Sequence, residues 1–296
     1  MEITAAHPTP AGLGESPVWS VAEQCLYYVD IPGREVLRFE PSTGELKRWA
    51  TESEPGCIAL RASGGLAVAQ RSGLWSLDTV TGAQAKLAEP PYDPARQRFN
   101  DGKPDAAGRF WVGTIDDARL PDAHLYRYVS GSCEAMAGGI SNSNGLAWSP
   151  AGDRMLWTDT KAHEIYAFDF DASRGGIGER RLFARFAQRV QGEPLEMYGG
   201  RPDGAAMDAE GCCWVSMFEG QRLLRLSPEG MVLSELRLPV RCPTMPSFGG
   251  ADLRTLYITT AREKRPAEEL ATQPLAGCVL QVRVDVPGLP PHIARL

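Results

Sequence analysis

Short runs of aromatic and β-branched residues recur along the chain, and each is followed by a turn and a second such run. Several runs alternate hydrophobic and polar residues with a period of two, as half-buried strands do. The first runs of the six pairs are residues 25–30, 66–69, 110–113, 155–158, 212–215 and 255–258. The second runs are residues 36–39, 74–77, 125–128, 165–168, 223–226 and 279–282. Turn sequences such as residues 41–44 and 227–230 close the pairs.

Six copies at a spacing of about 40 to 57 residues predict an all-β fold, a six-bladed β-propeller with about four strands per blade. We expect one propeller domain over residues 1–296, and the alternative is a pair of β-sandwiches. The first strand, near Ile3, and the C-terminal segment, residues 292–296, are expected to share one blade and close the ring. Few segments resemble helices, and the best, residues 267–271, is expected to be a loop turn.

One loop position recurs in register before the strand that we expect to be innermost in each blade. Four of its residues lie eight positions before a glycine, and two lie four positions before a tryptophan. This position, called the slot below, holds Glu15, Gly56, Asn100, Asn144, Asp203 and Thr244. Equivalent inner positions of a propeller converge on its axis. Five oxygen-bearing side chains, two of them carboxylates, are therefore expected to meet in one funnel.

The slot chemistry suits a hard divalent cation. Glu15, Asn144 and Asp203 supply three oxygen ligands, which admit calcium, magnesium, manganese, iron(II) or zinc. Water would complete the coordination shell, giving an open site that activates a water or polarises a carbonyl. The four histidines are scattered and none occupies the slot, so a histidine-based zinc site is not expected. The alternative is ordinary turn chemistry, because Asn-Gly and Asp-Gly are common turn dipeptides.

Charged residues next to the slot suggest a small-molecule substrate. Arg98 precedes Asn100 by two residues, so both face the funnel if they lie on one strand. Its guanidinium would hold a hydroxyl or carboxylate of a substrate, unless it is a surface arginine. Asp116 and Asp117 follow a strand and either line the same mouth or are solvated loop acids. No Gly-x-Ser-x-Gly elbow, Walker loop or dinucleotide-binding glycine motif occurs.

Composition narrows the class of partner. The chain has 296 residues, of which 43% are hydrophobic, enough for a sizeable core. A formal net charge of -6 argues against a nucleic-acid partner. Seven cysteines without a Cys-x-x-Cys motif fit a reducing compartment better than a disulfide framework or a structural zinc site. No signal-peptide or membrane-spanning pattern is present, so we expect a cytoplasmic protein with no membrane partner.

Several longer motifs carry a family resemblance. They are Gly14-Glu15-Ser16-Pro17-Val18-Trp19, Arg98-Phe99-Asn100-Asp101-Gly102-Lys103, Ser143-Asn144-Gly145-Leu146-Ala147-Trp148, Arg201-Pro202-Asp203-Gly204 and Phe248-Gly249-Gly250. Together with the tail from residue 256 to 277, they resemble the gluconolactonase/regucalcin family, which includes senescence marker protein and bacterial sugar lactonases. The resemblance runs from about Leu13 to the C-terminus, nearly the whole chain.

The resemblance implies a six-bladed propeller with one divalent metal held by Glu15, Asn144 and Asp203. It implies that Arg98 and Asn100 bind a sugar lactone, that Asp117 contacts the substrate, and that Asp203 doubles as general base. The expected activity is metal-dependent hydrolysis of a sugar-acid (aldono-) lactone to the free aldonate in sugar catabolism, by a monomer or weak homo-oligomer.

Other functions are compatible with the same residues. One is a calcium- or sugar-binding propeller without turnover, acting as buffer or sensor, and another is an isomerase or a different esterase. The chain also departs from the family pattern in two places. The segment 183–198 looks longer than the usual connection before the Pro-Asp-Gly loop and brings Glu193, Glu196 and Tyr198 close to Asp203. Glu219 stands where many bacterial members have glycine. Both departures bear on substrate preference.

Overall fold

The computed structural model describes residues 2–296, and within them 25 strands form six antiparallel sheets. The first strand is β1 (Thr4–His7). The first blade is formed by β2 (Gly14–Ser20), β3 (Cys25–Asp30), β4 (Glu35–Glu40) and β5 (Glu45–Ala50). The second is formed by β6 (Pro55–Leu60), β7 (Leu66–Gln70), β8 (Gly73–Leu77) and β9 (Gln84–Ala88). The third is formed by β10 (Gln97–Pro104), β11 (Phe110–Asp116), β12 (Ala123–Val129) and β13 (Ser132–Ile140).

The remaining three blades follow in chain order. The fourth has β14 (Ser143–Trp148), β15 (Arg154–Asp159), β16 (Glu164–Asp171), β17 (Gly176–Ile177) and β18 (Arg181–Arg185). The fifth has β19 (Arg201–Met207), β20 (Cys213–Phe218), β21 (Arg222–Leu226) and β22 (Val232–Arg237). The sixth has β23 (Pro243–Gly249), β24 (Thr255–Thr260) and β25 (Val279–Arg283), with β1 on its outer side. A 3₁₀ helix, Leu195–Met197, and one α-helix, α1 (Ala267–Thr272), lie between strands.

The first strands of the six sheets form a closed inner ring. The ring runs through β2, β6, β10, β14, β19 and β23, and each strand contacts the next, with β23 returning to β2. Hydrophobic residues fill the space between neighbouring blades; Trp111 and Trp157, for example, are fully buried. The prediction of an all-β, six-bladed β-propeller is therefore confirmed. The predicted first and second runs coincide with the second and third strands of the blades.

Ring closure was predicted correctly for one terminus and wrongly for the other. β1 pairs with β25 in the sixth blade, as expected. The C-terminal segment lies instead against the second and third blades, where Ala294 forms a parallel bridge with Arg61 and Arg295 N–H donates to Gly108 O. Ala294 is fully buried in a cluster that includes Phe110, so burial of the tail, not strand pairing, fixes its place.

The segment 267–271 was predicted as a loop turn, and this was wrong, because α1 is a short helix. Its first turn contains Glu268 and Glu269, and acidic residues are favourable at that end of a helix. Glu269 also receives a two-pronged ion pair from Arg265, four residues earlier. Among residues 2–296 there is no helix with the length and hydropathy that a bilayer crossing requires.

A break in strand register lies next to the slot in all six inner strands. The breaks fall between Glu15 and Val18, Pro55 and Cys57, Phe99 and Gly102, Asn144 and Ala147, Pro202 and Ala205, and Pro243 and Met245. An extra residue in one strand bends that strand and re-aims its side chains. The repeat in the sequence therefore corresponds to a repeated bulge at one end of the central channel, and this end is called the funnel below.

Candidate active site

Two slot residues of neighbouring blades are in direct contact. Asn100 Nδ2 donates to Asn144 Oδ1 at 2.9 Å and to the carbonyl of Ser143 at 2.8 Å. Asn144 Nδ2 donates in turn to Thr160 Oγ1 at 2.8 Å. These bonds fix the orientation of both amides, and the oxygen of Asn144 keeps a second lone pair for a ligand.

The two slot carboxylates, Glu15 and Asp203, are both buried, at 8% and 6% exposure. Burial raises the pKa of Glu15 well above its usual range, and the neighbouring carboxylates of Asp203 and Asp101 raise it further. Burial also raises the pKa of Asp203, although Arg201 and Arg98 act in the opposite direction. The charged forms of both acids are therefore destabilised unless a cation lies between them.

Hydrogen bonding does little to offset this cost. Glu15 Oε2 accepts one bond, from its neighbour Ser16 N–H at 3.1 Å. Within residues 2–296, no side chain or backbone N–H donates to the carboxylate of Asp203. Buried carboxylates in proteins are usually paired or hydrogen-bonded. Two that lack such support, and that repel each other, form an arrangement that a bound cation would stabilise.

The donor set fits a hard divalent cation. Glu15 and Asp203 offer carboxylate oxygens, and Asn144 offers an amide oxygen on the neighbouring inner strand of Asp203. No cluster of three or more His, Cys, Asp or Glu side chains suited to a metal occurs in the described part of the chain. The predicted ligands Glu15, Asn144 and Asp203 include only two acidic residues, and the third is an amide. They therefore do not form a cluster of that kind.

The other two slot residues contribute to the frame of the funnel. A Cβ atom on Gly56 would lie 2.3 Å from the carbonyl oxygen of Phe99, so only glycine fits beside the strand that carries Asn100. Thr244 Oγ1 donates to the carbonyl of Gly14 at 2.6 Å and contacts Thr259 Oγ1 at 2.8 Å. Thr244 thus fixes the strand that carries Glu15, and its hydroxyl is used within the protein.

Arg98 lies beside the amide pair. Its Nη1 donates to Asn100 Oδ1 at 2.7 Å and to the carbonyl of Phe99 at 2.9 Å. Burial, together with the charges of Arg119 and Arg71, lowers the pKa of this guanidinium to about 10. The guanidinium remains protonated at neutral pH and lies next to the predicted metal ligands, where it can contact a bound small molecule.

The two acids after β11 have different surroundings. Asp116 is buried, and its Oδ1 accepts the N–H groups of Ala118 and Leu120 at 2.9 and 3.3 Å, which shapes the loop. Asp117 is exposed on the rim of the funnel, and Arg71 holds its two oxygens at 3.0 and 3.2 Å. Asp117 therefore reaches the funnel as half of an ion pair.

Sequence reasoning did not single out two charged residues of the Arg98–Lys103 motif, one buried and one partly buried. Asp101 is buried, and its Oδ2 accepts the N–H of Leu146 at 3.0 Å, which joins the third and fourth blades. Lys103 donates from Nζ to the carbonyl of Ala205 in the fifth blade. The only sequence signal for Asp101 and Lys103 was that they belong to the Arg98–Lys103 motif, which the family resemblance had already identified. Their contacts, however, span 45 and 102 residues and were not accessible to local patterns.

The long segment before β19 is tied to the funnel wall by two side chains. The Tyr198 hydroxyl bonds to His163 Nε2, and Glu196 Oε1 lies 3.1 Å from Arg241 Nη2. Glu219 bridges Arg201 and Arg265, at 3.2 and 2.9 Å. The glutamate that departs from the family pattern thus holds Arg201, two residues before Asp203, in place.

The fold and the site together define a class of protein: a six-bladed propeller with two buried carboxylates and two asparagines at one end of its channel. A profile described as SMP-30/Gluconolactonase/LRE-like region matches residues 13–262, and the chain belongs to this family. The resemblance noted from the motifs is confirmed.

Individual proteins resemble the chain over nearly its full length. The chain is 46% identical to a 6-deoxy-6-sulfogluconolactonase of Pseudomonas putida over 281 residues, covering 94% of each chain. It is 37% identical to a regucalcin of Danio rerio over 286 residues, covering 95% of this chain and 94% of the other. A solved structure of a calcium-binding protein, regucalcin, from Agrobacterium tumefaciens has a TM-score of 0.92 at 25% identity, covering 99% and 97% of the two chains.

Proposed function

We propose that this protein hydrolyses a sugar-acid lactone to the free aldonate with the help of one divalent cation. The observation that carries the proposal is the pair of buried, poorly supported carboxylates, Glu15 and Asp203, beside Asn144 and Asn100. The similarity to a sulfogluconolactonase at 46% identity supports the reaction class. The similarity to regucalcins supports a divalent cation and makes calcium the first metal to try.

Glu15, Asn144 and Asp203 would hold the cation. When bound, it would polarise the lactone carbonyl and assist the ionisation of water. The proposed role of Arg98 and Asn100 is to bind the substrate's hydroxyl groups. Arg98 has further guanidinium N–H donors beyond its two bonds within the protein, and Asn100 Oδ1 keeps a lone pair beside the bond that it accepts from Arg98. Asp117 would contact the substrate from the rim while paired with Arg71.

The proposed reaction is a hydrolytic ring opening. The oxygen of water attacks the lactone carbonyl carbon while Asp203 accepts a proton from that water. The bond between the carbonyl carbon and the ring oxygen then breaks, and the ring oxygen takes the proton held by Asp203 and leaves as a hydroxyl group, which regenerates the base. The products are a hydroxy acid in its carboxylate form and a proton released to solvent.

The test is a lactone panel run on protein stripped of metal and reloaded with each candidate cation. Gluconate, xylonate, galactonate and arabinonate lactones would be compared with the lactone of 6-deoxy-6-sulfogluconate, above the spontaneous rate of hydrolysis. We expect at least one lactone to be hydrolysed, with activity lost on chelation by about 100-fold or more and restored by one cation. Full activity in stripped protein would contradict the metal role.

A binding protein without turnover is the second candidate, favoured by the regucalcin similarity and by the same donor set. It predicts tight calcium binding with no lactone hydrolysed under any metal. The position of Arg98 favours catalysis, because a guanidinium among cation ligands weakens cation binding but serves a substrate. Calorimetric titration of calcium alongside the lactone panel separates the two candidates.

A further inference from the structure

Four guanidinium groups lie at the mouth of the funnel. Arg71 follows β7, Arg98 lies in β10, Arg119 lies in the loop between β11 and β12, and Arg201 begins β19. Contacts bring three of them to one place: Arg71 Nη1 donates to the carbonyl of Gln97, next to Arg98, and Arg71 holds both oxygens of Asp117, two residues before Arg119. The charge of Arg119 lowers the pKa of Arg98, and the charge of Arg201 lowers the pKa of Arg119. Positive charge thus accumulates on one arc of the rim.

Only part of this charge is neutralised within the protein. Arg71 is paired with Glu54 and Asp117 at 3.3 and 3.0 Å, and Arg201 with Glu219 at 3.2 Å. Arg98 and Arg119 have no carboxylate oxygen within 4 Å among residues 2–296. Two neighbouring guanidinium groups that lack a carboxylate partner form a site for an external anion.

Arg119 does not balance the slot carboxylates. Arg98 lowers the pKa of both Glu15 and Asp203, whereas the charges that act on Arg119 are Asp117, Arg201 and Asp116. Arg71 already holds both oxygens of Asp117, and the buried carboxylate of Asp116 accepts backbone N–H groups of the loop. Arg119 thus lies near Asp116 and Asp117 without an ion pair to either carboxylate.

The backbone holds Arg119 at this place despite a conformational cost. Its φ of 60° lies in the left-handed region, which is uncommon for residues other than glycine. Lys161 Nζ, from the fourth blade, donates to the Arg119 carbonyl at 2.8 Å, and Arg119 Nη1 donates to the carbonyl of Asp116 at 3.4 Å. The loop is thus held between two blades with Arg119 on the rim.

We propose that Arg119, together with Arg98, binds an anionic substituent that the substrate carries at the end remote from its lactone carbonyl. This inference rests on the proposed function. The funnel is electrostatically bipolar: the carboxylates and the proposed cation lie in its depth, Arg119 lies on its rim, and Arg98, beside the amide pair, interacts with both. A six-carbon aldonolactone with an oxyanion at C6 has the matching polarity, since its carbonyl and C6 are at opposite ends. Sulfonate, phosphate and carboxylate share this chemistry.

The test compares the metal-loaded wild type with Arg119→Gln and Arg119→Lys on lactones that differ only at C6. The four substituents are hydroxyl, sulfonate, phosphate and carboxylate. We expect the wild type to favour an anionic lactone in kcat/KM, and Arg119→Gln to lower the ratio of anionic to neutral kcat/KM by about 10- to 100-fold, mainly through KM. Arg119→Lys should retain part of the ratio, and the anionic member that binds best identifies the oxyanion.

The matched control is Arg34→Gln. Arg34 is also an exposed arginine with a left-handed backbone, at φ 52°, in the corresponding loop of the first blade, between β3 and β4. Its replacement should leave the ratio unchanged. Equal kcat/KM for neutral and anionic lactones in the wild type would overturn the inference while leaving lactone hydrolysis intact. An equal loss on both substrates in Arg119→Gln would overturn it as well.

Equilibrium binding of the open acids gives a readout that does not need turnover. Gluconate and its 6-sulfo derivative would be titrated into each variant by calorimetry. The doubly charged acid should bind the wild type more tightly, and that preference should fall in Arg119→Gln and weaken with added salt. Tighter or equal binding of gluconate would refute the anion site even if no lactone were hydrolysed.

Discussion

The two ends of the central channel are built from the same six inner strands, yet they treat buried carboxylates differently. In the funnel, Glu15 and Asp203 are buried with little hydrogen-bond support. At the opposite end, Asp105 and Asp208 are fully buried and completely paired.

Asp208 illustrates this pairing. Its Oδ2 accepts Trp214 Nε1 at 3.0 Å and Arg225 Nε at 2.8 Å, and its Oδ1 accepts the N–H groups of Glu210 and Cys212. Asp105 repeats this pattern with Trp111 and Arg109 in the third blade.

The contrast separates a functional end from a structural end. A satisfied buried carboxylate holds a turn together, because each lone pair has a donor. An unsatisfied one raises the energy of the folded protein unless a ligand supplies the missing charge. The opposite end also contains a cavity of about 120 Å³, with Trp148, Met207 and Phe248 in its walls and Leu289 to His292 at its edge. Carboxylates with little hydrogen-bond support lie at one end of the channel, whereas at the other end the buried carboxylates are paired and an apolar cavity is present.

The largest expected effect is on chemistry at the funnel end. Asp203→Asn keeps the shape of the side chain but removes the proposed base and one charge of the metal site. We expect turnover to fall by about 10³-fold or more, with the circular dichroism spectrum unchanged. Thermal unfolding of metal-free protein should occur at a higher temperature in the variant, since a poorly supported buried charge has gone. Full turnover in metal-loaded Asp203→Asn would show that the Asp203 carboxylate is not the catalytic base.

The matching change at the opposite end should affect stability. Asp208→Asn leaves the partly buried guanidinium of Arg225 without its fully buried partner. We expect the free energy of unfolding to fall by about 3 kcal/mol, measured by urea denaturation. Turnover per folded molecule should stay near that of the wild type. Asp252→Asn, which breaks an exposed pair with Arg283, is the control and should change stability by less than about 1 kcal/mol. Similar losses of unfolding free energy in Asp208→Asn and Asp252→Asn would contradict a structural role for the buried carboxylate at this end.

Gly56 tests whether the frame of the funnel positions its ligands. In Gly56→Ala the new methyl group would meet backbone atoms of Phe99 and Asn100 within 2.3 to 2.7 Å, and these cannot move independently of the inner ring. We expect a loss of about 2 kcal/mol in stability and about a 10-fold fall in kcat/KM. The control is Gly176→Ala, where a Cβ atom has no neighbour closer than 3.9 Å. Unchanged stability and unchanged kcat/KM in Gly56→Ala would show that the inner ring of strands moves to accommodate the methyl group.

The smallest expected effect concerns pH. Burial lowers the pKa of His163, whose ring bonds to Tyr198 of the long segment beside the funnel. Because the folded protein favours the neutral ring, the unfolded chain binds more protons below the ordinary pKa of about 6.5. This stability is therefore present above that pH and is lost as pH falls below it. Thermal midpoints between pH 5 and 7.5 should vary less steeply in His163→Gln. Identical slopes of the thermal midpoint against pH in the wild type and in His163→Gln would exclude a contribution of His163 to the pH dependence of stability.

Local sequence patterns predicted the strands because their causes are local. Alternation of hydrophobic and polar residues follows from the two faces of a strand, so the six paired runs fell on the second and third strands of the blades. The slot was visible for a similar reason, since each blade repeats the same bulge. Its place was predicted wrongly, however: the slot lies within the inner strand and not before it, because the predicted first runs form the second strands of the blades. The short helix α1 was missed because its support includes an ion pair from Arg265, which lies outside the predicted segment.

What the sequence by itself determined was the β-propeller, the repeat that places Glu15, Asn144 and Asp203 at one end of it, and the family. Only the tertiary structure decided which polar groups are already used. It committed Thr244 to Gly14 and Asp117 to Arg71, and it placed the C-terminal tail against the second and third blades. It also left Arg119 on the rim with a hydrogen bond to the Asp116 carbonyl but no carboxylate oxygen within 4 Å among residues 2–296. The physical reason is that neutralisation and burial depend on contacts between residues far apart in the chain, whereas strand patterns depend on neighbours.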